Sequence, residues 1–336
     1  MTNRVIIPTS ELTGDSISSF GSLSKALLNI QYESWDLLRK NYDQLRDVEV
    51  KTFEFDGFNV NVQFNPGRII SSSAKVDSKS IKERPCFLCV ENLPADQRGI
   101  DYQNEFVILC NPYPIFPEHF TIPKFEHLPQ RIQGNMDKLL DLSRDLSNRY
   151  TVFYNGPKCG ASAPDHMHFQ AGNKFFMPID GEFEAIFNNG STTVFESSRI
   201  EVRMSRTYIR NFIAALSDEK ESLINFFETF FRVYNKISNN DEEPMLNIEA
   251  YYEEGKWRLI IFPREKHRSS HYFAEGDKNI LLSPAAVDLG GVCITPRESD
   301  FEKITKDDIT EIFSEVTLSK EKFDYILNEL KNSFTA

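Results

Sequence analysis

The sequence predicts an α+β fold in which antiparallel sheets are flanked by helices. Apolar residues recur at spacings of three and four in several segments, as in amphipathic helices. Other short segments alternate apolar and polar residues and are separated by hairpin turns. The two kinds of segment are interleaved along 336 residues, of which 40% are hydrophobic, so a packed core is expected.

Four helical segments are predicted from this spacing. The first covers residues 22–45, with Ser22 as a plausible N-cap. The others are expected near residues 135–146, 218–237 and 307–332.

The predicted strands are short. The first two cover residues 51–55 and 58–64, and Asp56-Gly57 between them is a favourable two-residue hairpin turn. Residues 71–84 are polar and are expected to form a loop. Further strands are predicted at 106–111, 119–122, 151–154, 166–171, 245–252 and 258–262.

Charge and composition narrow the class of partner. The net charge of −12 disfavours the wrapping of nucleic acid, although local basic groups can still bind a small anion. No apolar run approaches the roughly 20 residues that span a bilayer, and residues 1–11 lack the features of a signal peptide. We therefore expect a cytoplasmic protein with no membrane partner.

The segment from His166 to Ala171 carries the main chemical prediction. If it is a strand, His166, His168 and Gln170 share one face, while the apolar residues between them share the other. A neutral imidazole attacks phosphorus and can leave again, so it can carry a nucleotidyl group. The alternative is a pair of structural or metal-ligating histidines. The small residues 159–164 before the motif favour close approach of backbone N–H groups to phosphate.

His-x-His-x-Gln resembles the transferase branch of the histidine-triad superfamily. That branch includes galactose-1-phosphate uridylyltransferase, diadenosine tetraphosphate phosphorylase and GDP-hexose phosphorylase. Residues 111–124 are similar to the superfamily segment in which a proline-containing turn and a histidine lead into a strand ending Ile-Pro-Lys. Residues 160–165 and 169–171 look closest to the GDP-hexose phosphorylases. The resemblance covers about residues 50–180 and is weaker after 200.

The resemblance implies roles for individual residues. His168 would attack the α-phosphorus, Gln170 would hold the intermediate, and Asn155 and Ser162 would lie near the α-phosphate. Ser162 lies four residues before His166, whereas the family serine usually lies three before. The hydrolytic branch has a third histidine where Gln170 stands, so transfer is favoured over hydrolysis.

The implied function is a nucleotidyltransferase or phosphorylase with a covalent nucleotidyl-histidine intermediate. Its substrate would be a nucleoside diphosphate sugar, with a GDP-hexose favoured, or a dinucleoside polyphosphate. The acceptor would be orthophosphate or a sugar phosphate. The alternatives are a related nucleotide hydrolase and a non-catalytic nucleotide-binding protein.

Cys86 and Cys89 form a Cys-x-x-Cys pair that can supply half of a tetrahedral zinc site. The resemblance to the uridylyltransferase implies that His127 and His166 complete it and that the zinc is structural. The alternative is a pair of reduced core thiols or a redox pair.

Five further residues are candidates for substrate binding. Arg68 follows a segment that resembles a family segment near the nucleotide, Lys158 lies in the loop before the motif, and His119 lies in the proline-rich turn. Arg264 and Lys266 follow the strand 258–262, which resembles the Ile-Pro-Lys strand of the first half. The four cationic residues are otherwise ordinary solvated charges.

The resemblance between the strand 258–262 and the Ile-Pro-Lys strand predicts that the chain has two similar halves. Residues 1–50 would be a helical segment, 51–199 a catalytic histidine-triad-like half, and 200–336 a degenerate second half that completes the substrate pocket. A homodimer is possible.

Overall fold

The computed structural model describes residues 5–13, 19–69, 81, 83–205, 209–238 and 243–335. Among these residues, no helix has both the length and the apolar character needed to cross a membrane.

The α-helices are named in chain order. They are α1 (Thr9–Thr13), α2 (Phe20–Ser34), α3 (Asp36–Gln44), α4 (Met136–Asp145), α5 (Pro178–Asn189), α6 (Lys220–Ser238), α7 (Ser270–Phe273), α8 (Ala286–Leu289), α9 (Glu298–Lys303), α10 (Lys306–Val316) and α11 (Lys320–Thr335).

The strands are named in the same way. They are β1 (Glu49–Phe55), β2 (Phe58–Phe64), β3 (Gly99–Tyr102), β4 (Phe106–Cys110), β5 (His119–Pro123), β6 (Tyr150–Asn155), β7 (His168–Asn173), β8 (Thr192–Glu196), β9 (Ile200–Ser205), β10 (Phe212–Ser217), β11 (Leu246–Glu253), β12 (Lys256–Pro263) and β13 (Val292–Thr295).

Ten strands form one sheet in the order β3-β4-β5-β7-β6-β11-β12-β10-β9-β8, and a second sheet has the order β1-β2-β13. All neighbours in the large sheet are antiparallel. The predicted α+β class with antiparallel sheets flanked by helices is confirmed.

The large sheet repeats one strand order about its centre, where β6 pairs with β11. From each edge inward, three successive strands are followed by the fifth and then the fourth strand of that half. A helix precedes the innermost strand in both cases, α4 before β6 and α6 before β11. This order is consistent with two similar halves, and the boundaries at residues 50 and 200 remain a proposal.

The strand order corrects one detail of the predicted repeat. The strand over residues 258–262 was matched to the Ile-Pro-Lys strand, which is β5. By position β12 instead corresponds to β7, and β10 takes the place of β5. β10 and β12 are both buried apolar strands, and a continuous apolar run carries no information about its place in a sheet.

Each face of the large sheet packs on its own core. Apolar residues of α2, α4, α6 and α11 cover one face. The three-stranded sheet, α5 and α8–α10 cover the other. Along β12, Leu259 and Ile261 pack on the first core and Ile260 and Phe262 on the second, which explains why this strand is apolar on both faces.

The predicted first helix is wrong in two respects. It is two helices, α2 and α3, broken at Trp35, whose backbone is extended (φ −129°, ψ 98°) and whose side chain is buried. The N-cap is Ser19, whose hydroxyl oxygen accepts the N–H of Ser22 at 3.3 Å. Helical spacing continues through the break, so periodicity alone does not reveal it.

The last predicted helix is also divided, into α10 and α11. Thr317 is extended at the break and pairs with Arg264, while the N–H of Leu318 donates to the carbonyl of Pro263 at 3.1 Å. The chain leaves the helix because it pairs with the end of β12.

The remaining predicted elements lie close to their expected places. The first hairpin is confirmed, and Gly57 supplies the positive φ of 82° that its turn requires. Most of the predicted loop 71–84 lies outside the described residues. The motif strand is shorter than predicted at its start: it begins at His168, so His166 lies outside it.

Candidate active site

A cleft of about 640 Å³ opens beside β7 and contains His168 and Gln170. It lies on the face of the sheet that the three-stranded sheet covers, because Ile294 of β13 also lines it. Lining residues from β4 lie on one side of β7, and residues that follow β12, including His267 and Arg268, lie on the other. Both halves of the chain therefore contribute to one cleft.

His168 is held in the tautomer that a nucleophile needs. Its Nδ1 lies 2.8 Å from the carbonyl oxygen of His166. A carbonyl only accepts, so Nδ1 carries the hydrogen and Nε2 carries the lone pair. Burial lowers the pKa of His168 to about 4, which keeps the ring neutral near pH 7.

Gln170 is oriented by His119, which is fully buried. The N–H of Ile115 donates to Nδ1 of His119 at 3.2 Å, so the ring hydrogen is on Nε2. That Nε2–H donates to Oε1 of Gln170 at 3.0 Å. The amide nitrogen of Gln170 is then the polar atom directed to a ligand. His119 was predicted to bind substrate; it lies outside the cleft lining and positions Gln170 instead.

Asn155 lies in the cleft and is oriented in the same way. Its Oδ1 accepts from Nδ2 of Asn247 at 2.8 Å and from the N–H of Ala286 at 2.9 Å. Its amide nitrogen is therefore the donor left for a ligand. Gly160 allows the loop before the motif to approach Ala285 closely, because a Cβ at residue 160 would lie 2.6 Å from Cβ of Ala285. The φ of Gly160 is +117°, which also favours glycine.

Basic residues surround these amides although the chain is acidic overall. Arg68 lines the cleft, and one guanidinium nitrogen donates to the carbonyl of Tyr113 at 2.7 Å. Burial lowers the pKa of Arg68 to about 10, so it is charged near pH 7. Arg84 also lines the cleft and pairs with Asp165 at 3.3 Å. The local charge suits an anionic ligand.

The other two predicted residues of the motif loop differ in location. Ser162 lines the cleft, and its role in phosphate binding stays a prediction. Lys158 is exposed and does not belong to the described residues that line the cleft. The sequence does not indicate in which direction a long charged side chain in a loop points.

The predicted substrate roles of Arg264 and Lys266 are contradicted. Arg264 is 2% exposed, and its guanidinium donates to five protein acceptors, among them Oδ1 of Asn247. It therefore orients Asn247, which in turn orients Asn155. Lys266 forms a surface ion pair with Glu315 at 3.3 Å. Neither residue lines the described cleft.

The four predicted metal ligands lie together. One ligand atom from each of Cys86, Cys89, His127 and His166 falls within 4.8 Å of all the others. Sγ of Cys86 lies 3.2 Å from Nδ1 of His166, and Sγ of Cys89 lies 3.1 Å from Nδ1 of His127. The side chain of His166 thus faces this cluster and not the cleft, so the prediction that it shares a face with His168 and Gln170 is wrong.

Several residues of the site have no clear signal in the sequence. Gln130 bonds the backbone of both His168 and Asn155. Arg268 and Asp288 line the cleft from the second half. Arg84 lies two residues before Cys86, which is the only local indication of its place; Gln130 has none, since its contacts depend on residues far along the chain.

Two family models match the chain. Residues 27–173 match a domain of unknown function, DUF4922, and residues 192–335 match the model described as GDPGP1-like, C-terminal domain.

One curated relative is a galactose-1-phosphate uridylyltransferase from Staphylococcus saprophyticus, which is 24% identical over 253 residues. The match covers 67% of this chain and 47% of the relative, so the chain spans about half the length of the curated relative that it matches.

Solved structures with a similar fold include the yeast Ap4A phosphorylase Apa2. It has a TM-score of 0.57 and 16% identity, and the match covers 84% of this chain and 97% of Apa2. The same enzyme in complex with Ap4A gives a TM-score of 0.54 and 17% identity, with 88% and 97% covered. The chain therefore shares the fold of these phosphorylase structures, and the family models and the curated relative agree with the resemblance of the motif to the transferase branch of the histidine-triad superfamily.

Proposed function

We propose that this chain is a nucleotidyltransferase or phosphorylase that acts on a nucleoside diphosphate sugar or a dinucleoside polyphosphate. The observation that carries the proposal is the arrangement at His168. Its Nδ1–H is held by the carbonyl of His166, and it shares a cleft with two amides whose oxygens are already bonded.

The proposed reaction has two displacements. In the first, the lone pair of Nε2 of His168 forms a bond to the α-phosphorus, and the bond from that phosphorus to the leaving phosphate oxygen breaks. The leaving sugar phosphate or nucleotide takes the bonding electrons. In the second, an oxygen of orthophosphate or of a sugar phosphate attacks the same phosphorus. The P–N bond breaks, its electrons return to Nε2, and His168 is neutral again.

The surrounding groups stabilise the charge that moves during these steps. Loss of the Nε2 lone pair makes the ring cationic, and the carbonyl of His166 accepts its Nδ1–H. The amide nitrogens of Gln170 and Asn155 donate to the phosphoryl oxygens, and Arg68 and Arg84 offset their charge. A single donor of this kind typically contributes about 10²- to 10³-fold in rate.

The cysteine and histidine cluster fits structural zinc. A tetrahedral ion bonded at about 2.3 Å to sulfur and about 2.0 Å to nitrogen separates these atoms by roughly 3.5 Å. The sulfur–nitrogen distances of 3.1, 3.2 and 3.6 Å are close to that value. Nε2–H of His166 donates to the carbonyl of Lys124 at 2.8 Å, which leaves Nδ1 for the ion.

With four protein ligands the zinc would have no open position for a substrate. The zinc would cross-link the Cys86–Cys89 turn, His127 in the segment after β5, and His166, which lies two residues before His168.

A GDP-hexose is the first substrate to test. The resemblance of residues 160–165 and 169–171 to the GDP-hexose phosphorylases favours it, and residues 192–335 match the GDPGP1-like model. Apa2 is an Ap4A phosphorylase, so dinucleoside polyphosphates form the second group.

The test is a panel of labelled nucleoside diphosphate sugars and dinucleoside polyphosphates, with and without orthophosphate. We expect an acid-labile nucleotidyl adduct on His168 by mass spectrometry and turnover that depends on orthophosphate or a sugar phosphate. His168→Ala should abolish both while the fold survives. His271→Ala, a histidine outside the cleft lining, is the matched control.

Three outcomes would contradict the proposal. Normal activity of His168→Ala would remove the nucleophile. Turnover at the same rate without any phosphate acceptor would indicate a hydrolase. Tight nucleotide binding with no adduct and no turnover would indicate a binding protein.

A further inference from the structure

We infer that Gln130 is a positioning residue, whose amide separates β6 from β7 at the cleft and fixes His168 and Asn155 relative to each other. The inference rests on the proposed function, since it concerns the same nucleophile. Gln130 is 1% exposed, lies in the segment between β5 and α4, and does not line the described cleft.

The amide of Gln130 makes three hydrogen bonds to backbone groups. Its Oε1 accepts the N–H of His168 at 2.8 Å. Its Nε2 donates to the carbonyl of His168 at 3.0 Å and to the carbonyl of Asn155 at 2.9 Å. A backbone N–H only donates and a carbonyl only accepts, so only one orientation of the amide satisfies all three.

These bonds replace a pair of the β-ladder. The antiparallel register of β6 and β7 runs from Tyr150 opposite Asn173 to Phe153 opposite Gln170, where it stops. Continued by two residues, the same register would place Asn155 opposite His168. The Gln130 amide is bonded to both of these residues, so it lies where their direct backbone bonds would otherwise form. The two strands thereby diverge at the residues that we assign to catalysis.

The segment that carries Gln130 also holds the backbone before His168. The N–H of Lys124 donates to the carbonyl of Met167 at 2.9 Å, and the N–H of Met167 donates to the carbonyl of Leu128 at 2.6 Å. The carbonyl that holds Nδ1–H of His168 belongs to His166, inside this bonded stretch. The path of the backbone here therefore determines the tautomer of the nucleophile.

The far end of the segment is anchored to the second half. The N–H of Ile132 donates to Oε2 of Glu243 at 2.7 Å, and the hydroxyl of Tyr154 on β6 donates to the other carboxylate oxygen. The segment that carries Gln130 is thus bonded at both of its ends. Loss of the Gln130 amide should therefore displace His168 without removing a substrate contact.

The test compares two variants with a matched control. Gln130→Glu is nearly isosteric, yet an ionised carboxylate cannot donate to the two carbonyls. Gln130→Asn keeps the amide but shortens its reach. Gln133→Glu makes the same substitution at an exposed residue three positions along the segment and should behave as wild type.

We expect both Gln130 variants to lower kcat for nucleotidyl transfer on the order of 10- to 100-fold, because a displacement of about 1 Å can cost that much. KM should change by less than about threefold, since no cleft contact is lost. Bound metal and the unfolding midpoint are measured on the same samples. The ¹⁵N spectrum of labelled histidine should show His168 in the Nδ1–H form in the wild type and mixed tautomers in the variants.

Wild-type kcat in both variants would overturn the inference, as would an increase in KM alone or a rate loss that follows loss of metal. If Gln130→Glu does not fold, Gln130→Asn and its ¹⁵N spectrum decide. Absence of any adduct in the wild type would refute the proposed function, whereas an unchanged His168 tautomer in the variants would refute the role of Gln130.

Discussion

Arg264→Met tests whether a buried arginine that the sequence suggested for substrate binding is structural. The guanidinium donates to Oδ1 of Asn247 and to the carbonyls of Pro284, Lys266, His267 and Val316, at 2.9 to 3.1 Å for the carbonyls. These acceptors come from β11, from the segments that follow β12 and precede α8, and from the end of α10. One side chain therefore joins four parts of the second half.

The expected loss of unfolding free energy follows from the acceptors that methionine would leave unpaired. Each buried unsatisfied group costs about 1–3 kcal/mol, so five would cost roughly 5–15 kcal/mol if nothing relaxed. That equals the whole stability of a typical domain, about 5–15 kcal/mol. Removal of a buried charge also regains its desolvation cost, and the surroundings relax. We therefore expect the free energy of unfolding to fall by an amount at the lower end of this range, about 5 kcal/mol.

The assay is urea unfolding followed by the fluorescence of Trp35 and Trp257, the two tryptophans of the chain. Lys266→Met is the matched control, because that residue forms only a surface ion pair and should change the unfolding free energy by less than about 1 kcal/mol. If Arg264→Met has the same unfolding free energy as the wild type and a higher KM for the nucleotide substrate, Arg264 is a substrate-binding residue and not a structural one.

Further substitutions test the orientation of Gln170, the protonation of Glu243 and the metal cluster. His119→Phe removes the hydrogen bond that orients Gln170, and we expect kcat to fall about 10-fold. Gln170→Ala removes the donor itself, and we expect kcat to fall about 100-fold. Equal decreases of kcat in steady-state assays would contradict this order. Burial raises the pKa of Glu243 to about 7 from 4.5, so its contribution to stability is present below pH 4.5 and is lost as the pH rises through 7. In Glu243→Gln that dependence should disappear, and the stability advantage of the wild type should shrink between pH 5 and pH 8 in urea titrations; a constant difference would refute the pKa assignment. Cys89→Ala should lose about one zinc per chain by elemental analysis and lower the unfolding midpoint, whereas Cys110→Ala, outside the cluster, should keep its metal.

The sequence by itself determined the chemistry that is local along the chain. Alternation along the motif strand placed Phe169 and Ala171 in the core and directed His168 and Gln170 to the opposite face. The hairpin at Asp56-Gly57 followed from turn geometry. The Cys86 and Cys89 pair, together with the family resemblance, predicted the four-residue cluster that the structure brings together. These features depend on residues a few positions apart, where periodicity and turn preference act directly.

Tertiary structure alone decided which of the other polar residues reach the cleft. Arg264 directly follows β12 and Arg68 lies in the helical turn after β2, yet the first donates from all its guanidinium nitrogens to protein acceptors and the second lines the cleft. The bond from Asn247 to Asn155 joins residues 92 positions apart, and the bonds of Gln130 to His168 span 38. Such contacts exist only after the strands have paired, because a buried polar group takes whichever partner the packed chain brings to it. The place of β12, and the break of the first helix at Trp35, were decided in the same way, by pairing and packing that no local pattern records.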